Sequence, residues 1–90
     1  MYRFNAPITM GNASASLADC VKAIDGGETD LELAALEHSD SSAVAVLLAA
    51  ARHAGLNGKR LRLVEMPRAV ASLAKLYGVD TMLAPVVVTA

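Results

Sequence analysis

Three short stretches of the chain alternate between apolar and polar residues, which is the pattern of a β-strand with one buried face. These stretches are 2–5, 29–33 and 60–64. In the second stretch Leu31 and Leu33 are predicted to face the core, and in the third Leu61 and Leu63 are. The sequence therefore predicts three half-buried strands.

Helical periodicity follows the first of these strands. From Leu17 to Ile24 the apolar residues fall at positions i, i+3, i+4 and i+7, which form one face of an amphipathic helix. The glycines Gly26 and Gly27 are predicted to end this helix. Three polar residues ahead of it could cap its N-terminus: Asn12, Ser14 and Ser16.

The segment 43–51 consists of nine apolar residues, with no charge, glycine or proline among them. Its alanine and leucine content favours a helix over a strand. A helix that is apolar on every side is normally buried, so we expect Leu47 and Leu48 both to be inaccessible. Three residues mark its predicted end: Arg52, His53 and Gly55.

A third helix is predicted after the last strand, with Pro67 in its first turn and Gly78 at its end. Its predicted apolar stripe consists of Met66, Val70, Leu73 and Tyr77. The tail 84–90 has β-branched residues and a proline near its start, which predicts an edge strand or a loose tail.

The predicted order is strand, helix, strand, helix, strand, helix and tail. This alternation predicts an α/β fold, in which helices pack on a small, mostly parallel sheet, because crossovers through helices join parallel neighbours. Ninety residues fit one domain, and no repeat or linker divides the chain, so residues 1–90 are predicted to form a single domain.

Charge and cysteine content exclude several classes of protein. Eight Lys and Arg residues against nine Asp and Glu residues leave a formal net charge of −1, with no basic stripe for nucleic acid. The single cysteine, Cys20, cannot form an intrachain disulfide, which favours a reducing compartment. The chain has neither a secretion signal nor a run of about 18 apolar residues, so we expect a cytoplasmic protein without direct membrane insertion.

No combination of residues predicts a catalytic site or a cofactor. The histidines His38 and His53 have no cysteine or carboxylate at metal-ligand spacing, so ordinary histidines are favoured over metal ligands. Ser41 and Ser42 lack the G-x-S-x-G elbow of a nucleophilic serine. We therefore expect that the protein is not an enzyme and binds no metal.

The tripeptide Asp40-Ser41-Ser42 stands at the start of the apolar helix. Free N–H groups and the helix dipole favour a phosphate there, whereas the adjacent Asp40 opposes added negative charge, so the position is sensitive to modification. The alternative is that Asp40 or Ser41 only caps the helix.

Residues 38–48 resemble the signature of STAS domains, the sulphate-transporter and anti-sigma-factor-antagonist family. Residues 72–79 resemble the helix end of MlaB-type members of this family, and the resemblance covers roughly residues 29–83. Two features depart from the family pattern. Ala43 stands where a glycine is usual, and one strand instead of a hairpin of two is predicted before the first helix.

The resemblance implies a non-catalytic accessory subunit that binds the ATPase of an ABC transporter for phospholipid trafficking, which maintains outer-membrane lipid asymmetry. Such a subunit lies at the inner membrane through its transporter complex. The implied partner surface consists of Asp40, Ser41, Ser42 and Val44, with Lys75 and Tyr77 as further candidates.

Two other functions stay open at this point. One is an anti-sigma-factor antagonist, in which an anti-sigma kinase phosphorylates Ser41 as the phospho-acceptor. The other is a domain that only forms a homodimer, with residues 86–88 as the exposed edge.

Overall fold

The computed structural model describes residues 1–78 and confirms the predicted alternation of strands and helices. The strands are β1 (Tyr2–Arg3), β2 (Asp30–Glu32) and β3 (Arg62–Val64). The helices are α1 (Ala13–Asp25), α2 (Ser42–Leu56) and α3 (Arg68–Leu76), with a short 3-10 turn over Ala34–Leu36. The tail predicted at 84–90 lies outside the described residues.

The three strands form one parallel sheet in the order β1-β2-β3, which confirms the predicted α/β fold. Each strand is only two or three residues long, which is shorter than predicted. The four predicted core leucines are nevertheless buried, because the alternation continues past the hydrogen-bonded residues: Leu31, Leu33, Leu61 and Leu63.

The two faces of the sheet differ in polarity. Helices α1 and α2 pack against each other, α3 packs against α2, and their apolar side chains join the strand leucines in one core. Successive strand residues point to opposite faces, so the other face carries charged side chains. Arg3 pairs there with Glu32 across a 3.7 Å separation of Nε and Oε2, and Asp30 lies opposite Arg62 in the register.

Helix α1 begins at Ala13, and its N-cap position is Asn12, one of the three predicted candidates. The Asn12 side chain does not cap the helix. Its Oδ1 atom accepts a hydrogen bond from the Thr9 N–H at 2.8 Å, and its Nδ2 atom donates to the Pro7 carbonyl at 3.0 Å. Asn12 therefore organises the preceding loop instead of the helix.

Helix α2 is longer than predicted and passes through Gly55 to Leu56. The prediction that it is buried on every side is wrong. Leu47 is 1% exposed, but Leu48 is half-buried and Ala45 is exposed. One row of α2 is therefore not fully buried, and an apolar sequence alone does not identify that row.

Helix α3 starts one residue after Pro67, which occupies the N-cap position with extended backbone angles and not the first turn. Val70 is buried, and Met66 and Leu73 pack against the core as predicted. Tyr77 is 57% exposed, so its assignment to the core stripe is wrong. The helix ends at Leu76, and Gly78 with φ of +70° leaves the helical path as expected.

Candidate functional site

The start of α2 is capped by the carboxylate of Asp40. Its Oδ1 atom accepts a hydrogen bond from the Ser42 N–H at 2.8 Å. Ser41 already has helical backbone angles, φ −61° and ψ −16°, and its side chain makes no capping hydrogen bond. Asp40 therefore acts as the N-cap residue, and Ser41 is exposed at the first turn.

The same carboxylate connects α2 to the loop between β1 and α1. Its Oδ2 atom accepts a hydrogen bond from the Met10 N–H at 3.1 Å. The Asp40 N–H donates to the Ile8 carbonyl at 3.1 Å, and the Ile8 N–H donates to Ser39 Oγ at 2.8 Å. Both loops follow parallel strands, so they meet at the carboxyl edge of the sheet, where ligand and partner sites of α/β folds form.

Hydrogen bonds explain the ionisation of Asp40. The backbone and side chain of Ser42, and then the Met10 backbone, donate to its carboxylate and lower the pKa of the carboxyl. The charged form is therefore favoured in the folded protein, and Asp40 stays ionised at neutral pH.

We expect Asp40→Asn to lower the melting temperature at neutral pH, because an amide offers one acceptor oxygen where the carboxylate uses two. The folded-state pKa lies below the unfolded-state pKa, so this stabilisation is present above the unfolded value and is lost as pH falls through the folded value. The difference in melting temperature from wild type should therefore shrink below about pH 4. Thermal melts followed by circular dichroism at several pH values measure this difference. A difference that does not change with pH would mean that the ionised Asp40 carboxylate does not stabilise the fold.

An open apolar groove of about 280 Å³ lies beside the Ser41 hydroxyl. Ser41, Val44, Ala45 and Leu48 line it from one face of α2, at the helical spacing i, i+3, i+4 and i+7. Tyr77, just after α3, lines the other side. Among residues 1–78 the groove lining therefore combines one hydroxyl group and one phenol ring with aliphatic side chains, which suits the docking of an apolar protein side chain.

The sequence-predicted site residues fall into three groups in the structure. Ser41, Val44 and Tyr77 line the groove, and Val44 is the most buried of the three. Asp40 and Ser42 form the cap beside it. Lys75 is exposed on the last turn of α3 and does not line the groove.

Two groove residues were not among the predicted site residues. Ala45 and Leu48 lie four and seven positions after Ser41, so they share its helical face, and that spacing could have identified them. The apolar run of α2 predicts instead that both residues are buried in the core. The role of Ser39 could not be read from sequence, because its bond to Ile8 spans 31 positions.

Other reactive side chains lie away from the groove. His53 Nε2 is 2.7 Å from Asp25 Oδ1, a contact between the ends of α2 and α1. Cys20 is buried, and burial raises the pKa of its thiol to about 11. Within residues 1–78 no cluster of three or more His, Cys, Asp or Glu side chains could hold a metal ion.

None of the described helices is long and apolar enough to cross a membrane.

Comparison with known protein families identifies a family that covers most of the chain. Residues 8–87 match the family described as "Mlab, STAS domain". The matched region includes α1, β2, α2, β3 and α3, and with them the described residues of the groove and of the Asp40 cap. A search of curated proteins found no match to the chain.

Proposed function

Because this chain belongs to the STAS-domain family of the MlaB type, we propose that it is an accessory subunit that binds the ATPase of an ABC transporter for phospholipid trafficking. STAS domains are generally non-enzymatic and mediate protein–protein interactions. In this proposal the chain is non-catalytic and cytoplasmic. It lies at the inner membrane through its transporter and serves outer-membrane lipid asymmetry.

The observation that carries the proposal is the exposed Ser41 hydroxyl at the rim of the apolar groove. Asp40 supplies the cap, so the Ser41 side chain makes no capping hydrogen bond to the described residues. A hydroxyl group beside Val44, Ala45 and Leu48 combines a specific polar contact with an apolar surface that a partner can desolvate. This is the composition expected at the centre of a protein interface.

The described groove residues define the proposed partner surface. It runs from the first turn of α2 at Ser41 to Leu48 and across to Tyr77. Tyrosine is enriched among residues that dominate binding energy, because its ring is large and its hydroxyl remains hydrogen-bonded. Lys75 lies outside the groove and is a peripheral candidate.

The second candidate function is an anti-sigma-factor antagonist that a kinase switches by phosphorylating Ser41. The same exposed hydroxyl favours it, because a kinase requires an accessible side chain at a position that tolerates charge. The N-terminus of α2 provides a positive dipole end, whereas the ionised Asp40 alongside opposes the new phosphate. The two candidates share one surface and differ in the partner.

The test is direct binding of the purified chain to purified candidate partners. The proposal predicts a stable complex with the ATPase subunit of a phospholipid ABC transporter encoded in the same host. Binding to an anti-sigma kinase, together with phosphate transfer to Ser41, would instead establish the second candidate. A chain that bound neither protein and only self-associated would contradict both.

Within this assay we expect Tyr77→Ala to weaken the complex about tenfold. The matched control is Lys75→Ala, two residues earlier, which should leave affinity near wild type. Both side chains are exposed, so neither variant should change the melting temperature much. Equal losses for both variants would mean that the partner contacts the end of α3 in general and not the groove in particular. Wild-type affinity of Tyr77→Ala would mean that the groove lies outside the interface.

A further inference from the structure

The loop between β1 and α1 presents one apolar side chain almost entirely to solvent. Met10 is 85% exposed, the highest value among the large exposed hydrophobic residues described. A single exposed apolar residue is common on protein surfaces and does not by itself indicate a site. The position of Met10 within a hydrogen-bonded loop is what distinguishes it.

The backbone around Met10 is held in one conformation by its own loop. The Thr9 N–H donates to Asn12 Oδ1, Asn12 Nδ2 donates to the Pro7 carbonyl, and the Asn12 N–H donates to the Thr9 carbonyl. Ile8, two residues before Met10, is fully buried and fixes the loop to the core. These contacts restrict the backbone on both sides of Met10.

The loop is also held against the start of α2. Asp40 accepts the Met10 N–H through one carboxylate oxygen and the Ser42 N–H through the other. A single side chain thus sets the position of Met10 relative to the first turn of α2, where Ser41 is exposed. The exposed Met10 side chain and the exposed Ser41 hydroxyl therefore belong to two segments that one carboxylate holds together.

We infer that Met10 is a second anchor of the partner surface, which inserts into a shallow apolar pocket of the ATPase subunit, and that Asp40 is the positioning residue that holds it. This inference rests on the proposed function. It extends the proposed partner surface from α2 to the β1–α1 loop. It also means that Asp40 does not contact the partner itself but holds Met10 in position.

The chemistry of methionine fits this role. Its unbranched, polarizable side chain adapts to irregular apolar pockets. A fixed backbone lowers the entropy lost when the side chain becomes ordered at an interface, so more of the contact energy appears as affinity. Met10 combines an adaptable side chain with a preorganised main chain.

The matched variants are Met10→Ala and Leu56→Ala. Leu56 is 84% exposed but lies at the opposite end of α2, about 21 Å along the helix from Ser42. We expect Met10→Ala to weaken binding to the ATPase subunit by about tenfold or more, with Leu56→Ala within about twofold of wild type. Both should keep the wild-type melting temperature, because neither side chain is buried.

The role of Asp40 is tested by a double-mutant cycle. If Asp40 acts by positioning Met10, Asp40→Asn should weaken binding in the wild-type background and add little once Met10 is alanine. Additive losses would show that Asp40 contacts the partner itself, or acts through the stability of α2, and would overturn its positioning role.

Methionine oxidation gives a readout that needs no variant. Mild peroxide should oxidise Met10 and Met1, which is 54% exposed, in the free chain, and mass spectrometry resolves the two sites. Met1 precedes β1 and lies at the amino edge of the sheet, away from the loop. In the complex we expect oxidation of Met10 to slow severalfold relative to the free chain, while Met1 reacts at an unchanged rate.

These results separate the inference from the function on which it rests. Wild-type affinity of Met10→Ala, together with unprotected Met10 in a complex that forms normally, would overturn the inference and leave the proposed function standing. Equal losses for Met10→Ala and Leu56→Ala would also overturn it, because the effect would not belong to the loop. Failure of the wild-type chain to bind the ATPase subunit would overturn both.

Discussion

Leu47→Ala is expected to destabilise the domain by about 2 to 5 kcal/mol. Leu47 is 1% exposed in the middle of α2, and its truncation leaves a cavity in the core. A domain of this size has a total stability of roughly 5 to 15 kcal/mol, so the loss is a large fraction of it. The melting temperature should fall by about 10 °C or more, measured by calorimetry.

Leu48→Ala is the control one position along the same helix. Leu48 is half-buried and lines the groove, so its truncation should cost about 1 kcal/mol and leave a folded protein. If both variants lost equal stability, the groove would be closed in solution and α2 buried on that side. The pair therefore tests where the exposed row of α2 lies.

Ser41→Glu is expected to fold normally and to lose its partner. A negative charge at the first turn of a helix is tolerated or favoured by the dipole, so the melting temperature should stay near that of wild type. In the complex the same carboxylate would be desolvated beside Asp40, and an unpaired buried charge costs several kcal/mol, which is a hundredfold or more in affinity. Titration calorimetry against the ATPase subunit measures the loss.

Ser41→Ala provides the milder comparison. It removes the one hydrogen bond that the hydroxyl is expected to make with the partner, worth about 1 kcal/mol, and it adds no charge. Affinity should therefore fall less than tenfold. Normal binding by both variants would mean that Ser41 lies outside the interface. A large drop in melting temperature for Ser41→Ala would mean that Ser41 contributes to the cap, against the geometry of Asp40.

The layer architecture could be predicted because it depends on local patterns. Alternation of apolar and polar residues assigns Leu31 and Leu63 to one face of a strand without knowledge of their neighbours. Amphipathic spacing gives α1 its buried Ile24 in the same way. Parallel pairing then follows from the helices between the strands, and the sheet agrees.

Side-chain exposure on α2 and after α3 could not be predicted in the same way. An uninterrupted apolar run gives no contrast between faces, so Leu48 was assigned to the core. Tyr77 fits the periodicity of α3, but the helix ends at Leu76 and the ring is exposed. In both cases tertiary geometry decides which apolar side chains are exposed.

The candidate site was located by its motif, but its construction depends on contacts between distant residues. The hydrogen bond from Met10 to Asp40 joins positions 30 residues apart, and no local pattern encodes it. Sequence alone left open whether Asp40 or Ser41 caps α2, because both residue types are good caps. The helical backbone of Ser41 decides the question in favour of Asp40.

The separation of capping from exposure at the start of α2 affects how this protein can evolve. Two backbone N–H groups donate to the carboxylate of Asp40, so mutations there are expected to be removed by loss of stability. The Ser41 side chain makes no capping hydrogen bond, so under the proposed function selection on position 41 acts through recognition of the partner. A lineage can therefore change its specificity by one substitution at position 41 while the domain around it stays folded.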